Sequence, residues 1–187
     1  IETDLTVVCL EKNYFRIISS AATRERDKFH INKHLPSNLV LTDVTDDYSV
    51  LGVFGPNSRL LMQDLSEDDF SQENFKFAHS KYISIDNIKI WTQRLSYVGE
   101  LGYELYIKIN DARKVYNLII EKGSKYKISN CGMHAMDTMR MESGLLHWGH
   151  DISPEENQYQ AGLTFAISYK KNIDFIGKDA LLKIKDQ

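Results

Sequence analysis

The segment LSYVGELGYELYI, residues 95–107, brings together side chains that could bind a ligand. It holds two glycines, two carboxylates and three tyrosines, namely Gly99, Gly102, Glu100, Glu104, Tyr97, Tyr103 and Tyr106. Side chains alternate between the two faces of a strand, so Tyr103 and Glu104 point to opposite faces. Glu104 is therefore either an exposed residue of a half-buried strand or a carboxylate that accepts donors from a ligand. Tyr97 likewise suits either packing or ligand contact.

The segment HWGHD, residues 147–151, is a second group of side chains that could do chemistry. His147, His150 and Asp151 are metal-ligand residue types, but zinc requires three or four well-placed ligands. The segment follows a predicted helix and contains Gly149, and no further ligand is apparent. We therefore predict a polar loop and no metal site.

Composition and charge argue against several other functions. The 187 residues carry a formal net charge of −3, and their basic residues are scattered, so nucleic acid is not an expected partner. No apolar run approaches the roughly 20 residues of a membrane helix, so no membrane association is expected. Cys9 and Cys131 form no CxxC pair, which indicates a reducing compartment. Neither a P-loop lysine nor a GxSxG motif is present.

The elements that must position these residues are read from hydrophobic periodicity. Strands are predicted over LTVVCL, YFRIIS, LVLTDV, YSVLGVFG, KYISI, IKIWTQRLSYVG, GYELYIKI and GLTFAIS. Helices are predicted near residues 22–32, after Gly55 and Pro56, over 111–122 with Gly123 as the stop, over 132–143, and in GKDALLKIK. Strand pairs alternating with single helices indicate an α+β fold with mostly antiparallel sheets.

Three blocks of the sequence resemble one known family. RLSYVGELGYELYI, AMDTMRMESGLLHWGHDISPEENQYQAGLTFAI and DFIGKDALL are similar, in this order, to the blocks of the aminomethyltransferase (glycine-cleavage T-protein) family. DVTDDYSVLGVFGPNSRLL also matches, so the resemblance covers nearly the whole chain. Within the family, LSYVGELGYELYI and HWGHDISPEEN look most like the folate-binding domains of dimethylglycine and sarcosine dehydrogenases.

The resemblance implies a fold and an organisation. It implies a single folate-binding core of two interleaved lobes with ferredoxin-like strand–helix arrangements, lacking the family's C-terminal β-barrel. The approximate lobes are residues 1–36 with 126–187, and residues 37–125. The chain opens at Ile1 and reaches a strand within a few residues, so we expect a fragment of a longer polypeptide.

The resemblance also implies site residues. Glu104 matches the carboxylate that anchors the pterin ring of tetrahydrofolate, because a carboxylate can accept the 2-amino group and N3–H of that ring as a fork. Tyr97 matches the family's tyrosine, and Gly99 and Gly102 keep the connection tight beside a flat ligand. Asp4, in IETDLTV, matches the catalytic aspartate. A carboxylate there can orient the nucleophile, take up a proton, or stabilise a cationic iminium.

Two positions on one predicted helix bear on which branch of the family this is. T-proteins often have arginine where this chain has Met136, which brings it closer to the dehydrogenase branch. Arg140 matches the family's LR-x-E arginine, and it suits either ligand contact or an ion pair that holds the helix.

The resemblance predicts a folate-dependent one-carbon (aminomethyl) transferase domain that accepts its unit from an amine or iminium. In the dehydrogenase branch, FAD would lie on a preceding module. The alternatives are a T-protein proper, whose partner is a lipoyl carrier protein, and a catalytically silent folate-binding or regulatory module. The expected compartment is the bacterial cytoplasm or the mitochondrial matrix.

Overall fold

A computed structural model describes residues 1–185 of the chain. Its contacts divide into two units. One consists of residues 1–37 together with the chain from Leu146 onward, and the other is Asn38–Leu145. The second unit is thus inserted in the sequence between the two segments of the first.

The first unit contains a hairpin and two helices. Strands β1 (Thr6–Glu11) and β2 (Tyr14–Ile18) pair antiparallel, and β1 alternates half-buried with exposed residues as the pattern predicts. Helix α1 (Arg24–His34) follows, and α5 (Lys178–Ile184) comes near the end of the described chain. Near the start of α1, the Thr23 hydroxyl donates a 2.6 Å hydrogen bond to the carboxylate of Asp27, which is buried.

The second unit is a four-stranded sheet with two helices against one face. The strands are β3 (Tyr48–Phe54), β4 (Ser80–Ile85), β5 (Ile88–Gln93) and β6 (Gly102–Lys108), in the order β3-β6-β5-β4 with every pair antiparallel. The β4–β5 turn places Asp86 and Asn87 at positive φ (48° and 63°), which the right-handed twist of a two-residue hairpin favours.

The core lies between that sheet and helices α2 (Ser58–Leu65) and α3 (Ala112–Gly123). It is formed by inward-facing residues of all these elements, among them Leu61, Met62, Ile83, Ile90, Tyr103, Leu105, Ile107, Val115 and Ile119. Residues 103, 105 and 107 of β6 share this face, so residues 102, 104, 106 and 108 share the opposite one.

Helix α4 (Met133–Glu142) completes the second unit and ends in a Schellman motif. The N–H of Leu145 donates to the carbonyl of Arg140 and that of Gly144 to Met141, while Gly144 has φ of 69°. Tyr126 and Ser143 tie the region to the sheet unit, through the Asp64 carboxylate and the Val98 carbonyl. Residues 126–145 therefore belong to the middle unit, whereas the lobes expected from the resemblance group them with residues 1–36.

The α+β class with antiparallel sheets is confirmed, and residues 1–185 contain no closed barrel. Two predicted strands are wrong. LVLTDV lies outside every strand, and GLTFAIS contains a 3-10 helix, Thr164–Ala166. Val40 and Phe165 are 89% and 84% exposed, so these apolar runs have no sheet to cover. None of the described helices is long and apolar enough to cross a membrane.

Two further expectations concern local geometry. Strand β5 ends at Gln93, earlier than the run IKIWTQRLSYVG predicts. The next residue, Arg94, still exchanges backbone hydrogen bonds with Ala78 and His79, but Ala78 has φ of 61°, so the pairing is irregular there. Gly123 is the last residue of α3 but keeps helical φ (−70°), and the left-handed residue that ends the following 3-10 turn is Lys127.

Candidate functional site

Glu104 lies near the start of β6, one of the two inner strands of the sheet. It is directly opposite Gly52 of β3 on one side and Gln93 of β5 on the other. Its side chain is on the face opposite the core residue Tyr103 and is half-buried, while Gly52 beside it is exposed. The sheet therefore presents a half-buried carboxylate beside a position where the neighbouring strand has no side chain of its own.

The carboxylate of Glu104 is held by a tyrosine on the same strand. The hydroxyl of Tyr106 donates a 2.7 Å hydrogen bond to Oε2 of Glu104. Tyr106 is itself fixed by Trp91, its partner in the ladder, whose ring centroid is 4.6 Å from its own, and both rings are buried. Oε1 of Glu104 has no hydrogen-bond partner within residues 1–185, so the carboxylate keeps acceptor capacity for another donor.

An aromatic ring covers the two glycines that flank Glu104. A Cβ on Gly52 would lie 2.6 Å from Cζ of Phe54, and one on Gly102 would lie 3.0 Å from its Cε1. The Phe54 ring can therefore lie flat on the sheet only because both positions are glycine. Since Gly102 is two residues before Glu104 and Gly52 is opposite it, this partly exposed ring forms an apolar surface beside the carboxylate.

Gly99 serves the protein's own packing as well. It has φ of 74°, and a Cβ there would lie 2.6 Å from the Cβ of Ser143 at the end of α4. The Ser143 hydroxyl donates a 3.3 Å hydrogen bond to the carbonyl of Val98. The two glycines of the segment thus make room for Ser143 and Phe54, which is a more direct reason for them than closeness to a ligand.

Tyr97 lies in the hairpin loop that Gln93 and Glu104 close as the last pair of the β5–β6 ladder. It is half-buried, and its neighbour Val98 is buried. The loop therefore places Tyr97 and Glu104 at the same end of the sheet. A contact between Tyr97 and a ligand stays a prediction.

Arg140 makes the ion pair that the structural interpretation predicts. It is buried, its Nε and one terminal nitrogen lie 2.7 Å from the Asp137 carboxylate, and its other terminal nitrogen donates to the Leu145 carbonyl at 3.1 Å. These bonds join the last turn of α4 to the chain that follows it. A ligand contact of Arg140 stays a prediction.

Asp4 belongs to the first unit, two residues before β1 begins at Thr6. It is exposed, and its carboxylate makes no hydrogen bond or ion pair with any of residues 1–185. Nothing in its own surroundings fixes its role, so its catalytic function stays a prediction.

The histidine segment folds as a loop closed by its own polar groups. The Asp151 carboxylate accepts a 2.8 Å hydrogen bond from the backbone N–H of His147, and the rings of His147 and His150 are 4.4 Å apart at their centroids. Among the residues described, no group of three or more His, Cys, Asp or Glu side chains is placed to hold a metal ion. The absence of a bound metal stays a prediction.

Two residues beside Glu104 were not identified from the sequence as site residues. Phe54 and Gln93 lie on other strands, and their proximity depends on strand order and register. For Phe54 a signal does exist, since it follows Gly52 at a spacing of two in YSVLGVFG, but the second glycine, Gly102, lies on a strand far along the chain.

Comparisons with known proteins agree with the fold. A family model described as the GCVT N-terminal domain matches residues 1–171. Aminomethyltransferase T from Bartonella henselae has a solved structure that superposes with a TM-score of 0.83 at 22% identity, over all of this chain and 49% of that one. A chain of heterotetrameric sarcosine oxidase from Corynebacterium sp. U-96 gives a TM-score of 0.56 at 16% identity, over 71% of this chain and 65% of that one.

Sequence relatives fall into two groups. A 4-methylaminobutanoate oxidase (formaldehyde-forming) of Paenarthrobacter nicotinovorans is 36% identical over 98% of this chain and 22% of its own length. Mitochondrial dimethylglycine dehydrogenase of Homo sapiens is 34% identical over 97% of this chain and 21% of its own. An aminomethyltransferase of Alkaliphilus metalliredigens is 32% identical over 98% of this chain and 50% of its own.

The chain thus spans between about a fifth and a half of the length of these curated relatives. The resemblance read from the sequence is confirmed. With a family model covering most of its residues and the same fold in a solved aminomethyltransferase, this chain belongs to the GCVT N-terminal domain family.

Proposed function

We propose that this chain binds tetrahydrofolate and accepts a one-carbon unit from an amine or iminium, as part of a dimethylglycine- or sarcosine-dehydrogenase-like enzyme. The observation that carries the proposal is Glu104, a half-buried carboxylate on the sheet face opposite the core, which Tyr106 holds and which keeps a free acceptor. The identities of 36% and 34% to an amine oxidase and an amine dehydrogenase support the enzyme class.

The surroundings of Glu104 suit the edge of a pterin ring. An ionised carboxylate is an acceptor-only group, and the pterin edge offers two adjacent donors, the 2-amino group and N3–H. The Tyr106 hydroxyl occupies one acceptor position on Oε2 and leaves the others for this fork. The Phe54 ring, lying flat over Gly52 and Gly102, supplies an apolar surface for a flat ligand beside the carboxylate.

Asp4 is the residue we assign to the chemistry. When bound, tetrahydrofolate accepts the one-carbon unit, at the oxidation level of formaldehyde, on its nitrogen N5. The carboxylate of Asp4 could take up the proton released as that nitrogen reacts, or stabilise the positive charge of an iminium. In the dehydrogenase branch, FAD would be held by a segment outside this chain.

A second candidate is a T-protein, which would take its aminomethyl group from a lipoyl carrier protein. The aminomethyltransferase of Alkaliphilus metalliredigens, 32% identical over 98% of this chain, favours it. Free dimethylglycine or sarcosine would then not be substrates. Turnover of these amines with and without an added lipoyl carrier separates the two candidates.

The test of the proposal is calorimetric titration of the full-length protein with tetrahydrofolate, comparing Glu104→Gln with Glu100→Gln. In the Glu104→Gln variant the side-chain amide would present a donor to a pterin donor, and one charge-assisted hydrogen bond would be lost. Binding should therefore weaken by about 1.5–3 kcal/mol. Glu100 is an exposed carboxylate in the same segment and is the matched control, with unchanged affinity expected.

A wild-type protein that does not bind tetrahydrofolate would refute the proposal. If the Glu104→Gln variant and the wild type bind tetrahydrofolate with equal affinity, Glu104 is only an exposed residue of a half-buried strand.

A further inference from the structure

Beside Glu104 lies a buried polar atom that no group of residues 1–185 satisfies. Gln93 is 2% exposed, and its Oε1 has no hydrogen-bond partner among these residues. Buried polar groups are nearly always paired, because an unmade hydrogen bond leaves the full cost of desolvation uncompensated. An orphaned amide oxygen next to a candidate binding carboxylate therefore calls for a partner that is not part of residues 1–185.

The register fixes the face of the sheet on which the Gln93 side chain lies. Gln93 and Glu104 are direct partners in the antiparallel β5–β6 ladder, so their side chains lie on the same face with Cβ atoms about 5 Å apart. The neighbouring residue Thr92 also has a buried, unpartnered oxygen, but strand alternation directs it to the opposite face, toward the core. Gln93 alone of this pair faces the ligand side of the sheet.

Counting donors identifies the missing partner. A pterin 2-amino group has two hydrogens, and a carboxylate fork uses one of them together with N3–H. The second amino hydrogen points away from the fork, alongside the carboxylate, and requires an acceptor. An amide oxygen on the adjacent strand is such an acceptor, and a glutamine in this position adds no second negative charge beside Glu104.

We propose that Oε1 of Gln93 accepts the second hydrogen of the 2-amino group, which makes Gln93 a specificity-determining residue for 2-aminopteridines. The inference rests on the proposed folate function. Three acceptor atoms would then bind one edge of the pterin ring, two of them from Glu104 and one from Gln93. A ring lacking the 2-amino group loses one contact with each residue.

The experiment is a thermodynamic cycle in the full-length protein that combines a side-chain substitution with a change in the ligand. Wild type, Gln93→Met and Thr92→Val are titrated by calorimetry with tetrahydrofolate and with its analogue that carries a methyl group in place of the 2-amino group. Methionine keeps the length of glutamine without the amide, and Thr92→Val removes the comparable oxygen on the other face.

We expect Gln93→Met to bind tetrahydrofolate about tenfold more weakly than wild type, and to bind the analogue equally well. Thr92→Val should bind both ligands like the wild type. Because the substitution removes an unsatisfied buried group, the urea midpoint of unliganded Gln93→Met should equal or exceed that of the wild type.

The outcomes separate the two proposals. If wild type binds tetrahydrofolate and Glu104→Gln weakens binding, but Gln93→Met does not, the assignment of Gln93 is wrong and the folate function stands. An equal loss of both ligands, or an unfolded Gln93→Met variant, also overturns the assignment, because the amide would then serve the fold. A wild type that binds no tetrahydrofolate overturns both.

Discussion

The contact between Gly99 and Ser143 predicts how the loop that carries Tyr97 depends on glycine. At Gly99 the backbone has φ of 74°, and a Cβ would lie 2.6 Å from the Cβ of Ser143. At Gly144 the backbone has a similar φ of 69°, but a Cβ would meet nothing within 4 Å. Alanine at Gly144 therefore adds only backbone strain, whereas alanine at Gly99 adds the same strain together with a steric clash.

The magnitudes follow from these contacts. Left-handed backbone costs alanine about 1–2 kcal/mol, which is the expected destabilisation for Gly144→Ala. Gly99→Ala must also displace Ser143, losing its hydrogen bond to Val98 (about 0.5–1.5 kcal/mol) and overpacking the contact (about 1–3 kcal/mol). The total for Gly99→Ala is about 2.5–6.5 kcal/mol.

Urea unfolding measures both variants. The chain has two tryptophans, and Trp91 lies buried in the sheet that holds the loop, so its fluorescence is followed in a Trp148→Phe background. Adding Ser143→Gly to Gly99→Ala should cost less than the sum of the single changes, by about 1–2 kcal/mol, since the clash is already relieved. Equal losses for Gly99→Ala and Gly144→Ala, with no coupling to Ser143, would refute the reasoning.

Two other predictions concern catalysis and acid stability. In the full-length protein, Asp4→Asn should keep folate affinity within about tenfold (about 1.4 kcal/mol) while one-carbon transfer falls by roughly a hundredfold or more, so that free formaldehyde replaces methylene-folate among the products. If the product ratio is the same in wild type and Asp4→Asn, Asp4 is an ordinary residue at the start of a strand. If both proteins bind folate and neither forms methylene-folate, the chain is better described as the catalytically silent module. The hydrogen bond from Lys125, followed by that from Tyr126, lowers the pKa of Asp64, so its stabilising contribution is present above the ordinary aspartate pKa and is lost as pH falls through the lower folded value. The urea midpoint of Asp64→Asn should therefore depend less on pH below about 4 than that of the wild type; identical pH dependences for the two proteins would contradict this.

Local patterns predicted most of the elements that carry the candidate site. The alternation in GYELYIKI assigned Tyr103 and Glu104 to opposite faces of the strand, and in the structure Tyr103 lies in the core and Glu104 on the other face. The turn between KYISI and IKIWTQRLSYVG is also local, because Asp86 and Asn87 are residue types that tolerate the positive φ of a two-residue hairpin turn. These features depend on interactions between residues close in sequence, which a single sequence records directly.

Two apolar runs were wrongly predicted to be strands because, in the described part of the chain, no neighbouring strand pairs with them. LVLTDV and GLTFAIS have the composition of strands, yet a strand is stabilised only by a neighbour that accepts its hydrogen bonds and covers one face. In residues 1–185 neither run has such a neighbour, and Val40 and Phe165 are largely exposed. The presence of a neighbouring strand is a property of the assembled sheet, so the run itself could not reveal its absence.

The sequence by itself therefore determined the family, the α+β class and the strand face on which Glu104 lies. Family blocks and strand alternation can both be read from residues that are close together in the chain. Only the tertiary structure decided what surrounds that carboxylate. Strand order brought Gly52 and Gln93 to its two sides, and packing laid the Phe54 ring over glycines from two strands. These neighbours lie far apart in the chain. They meet because β6 pairs with β3 on one side and with β5 on the other, in registers that place Gly52 and Gln93 opposite Glu104.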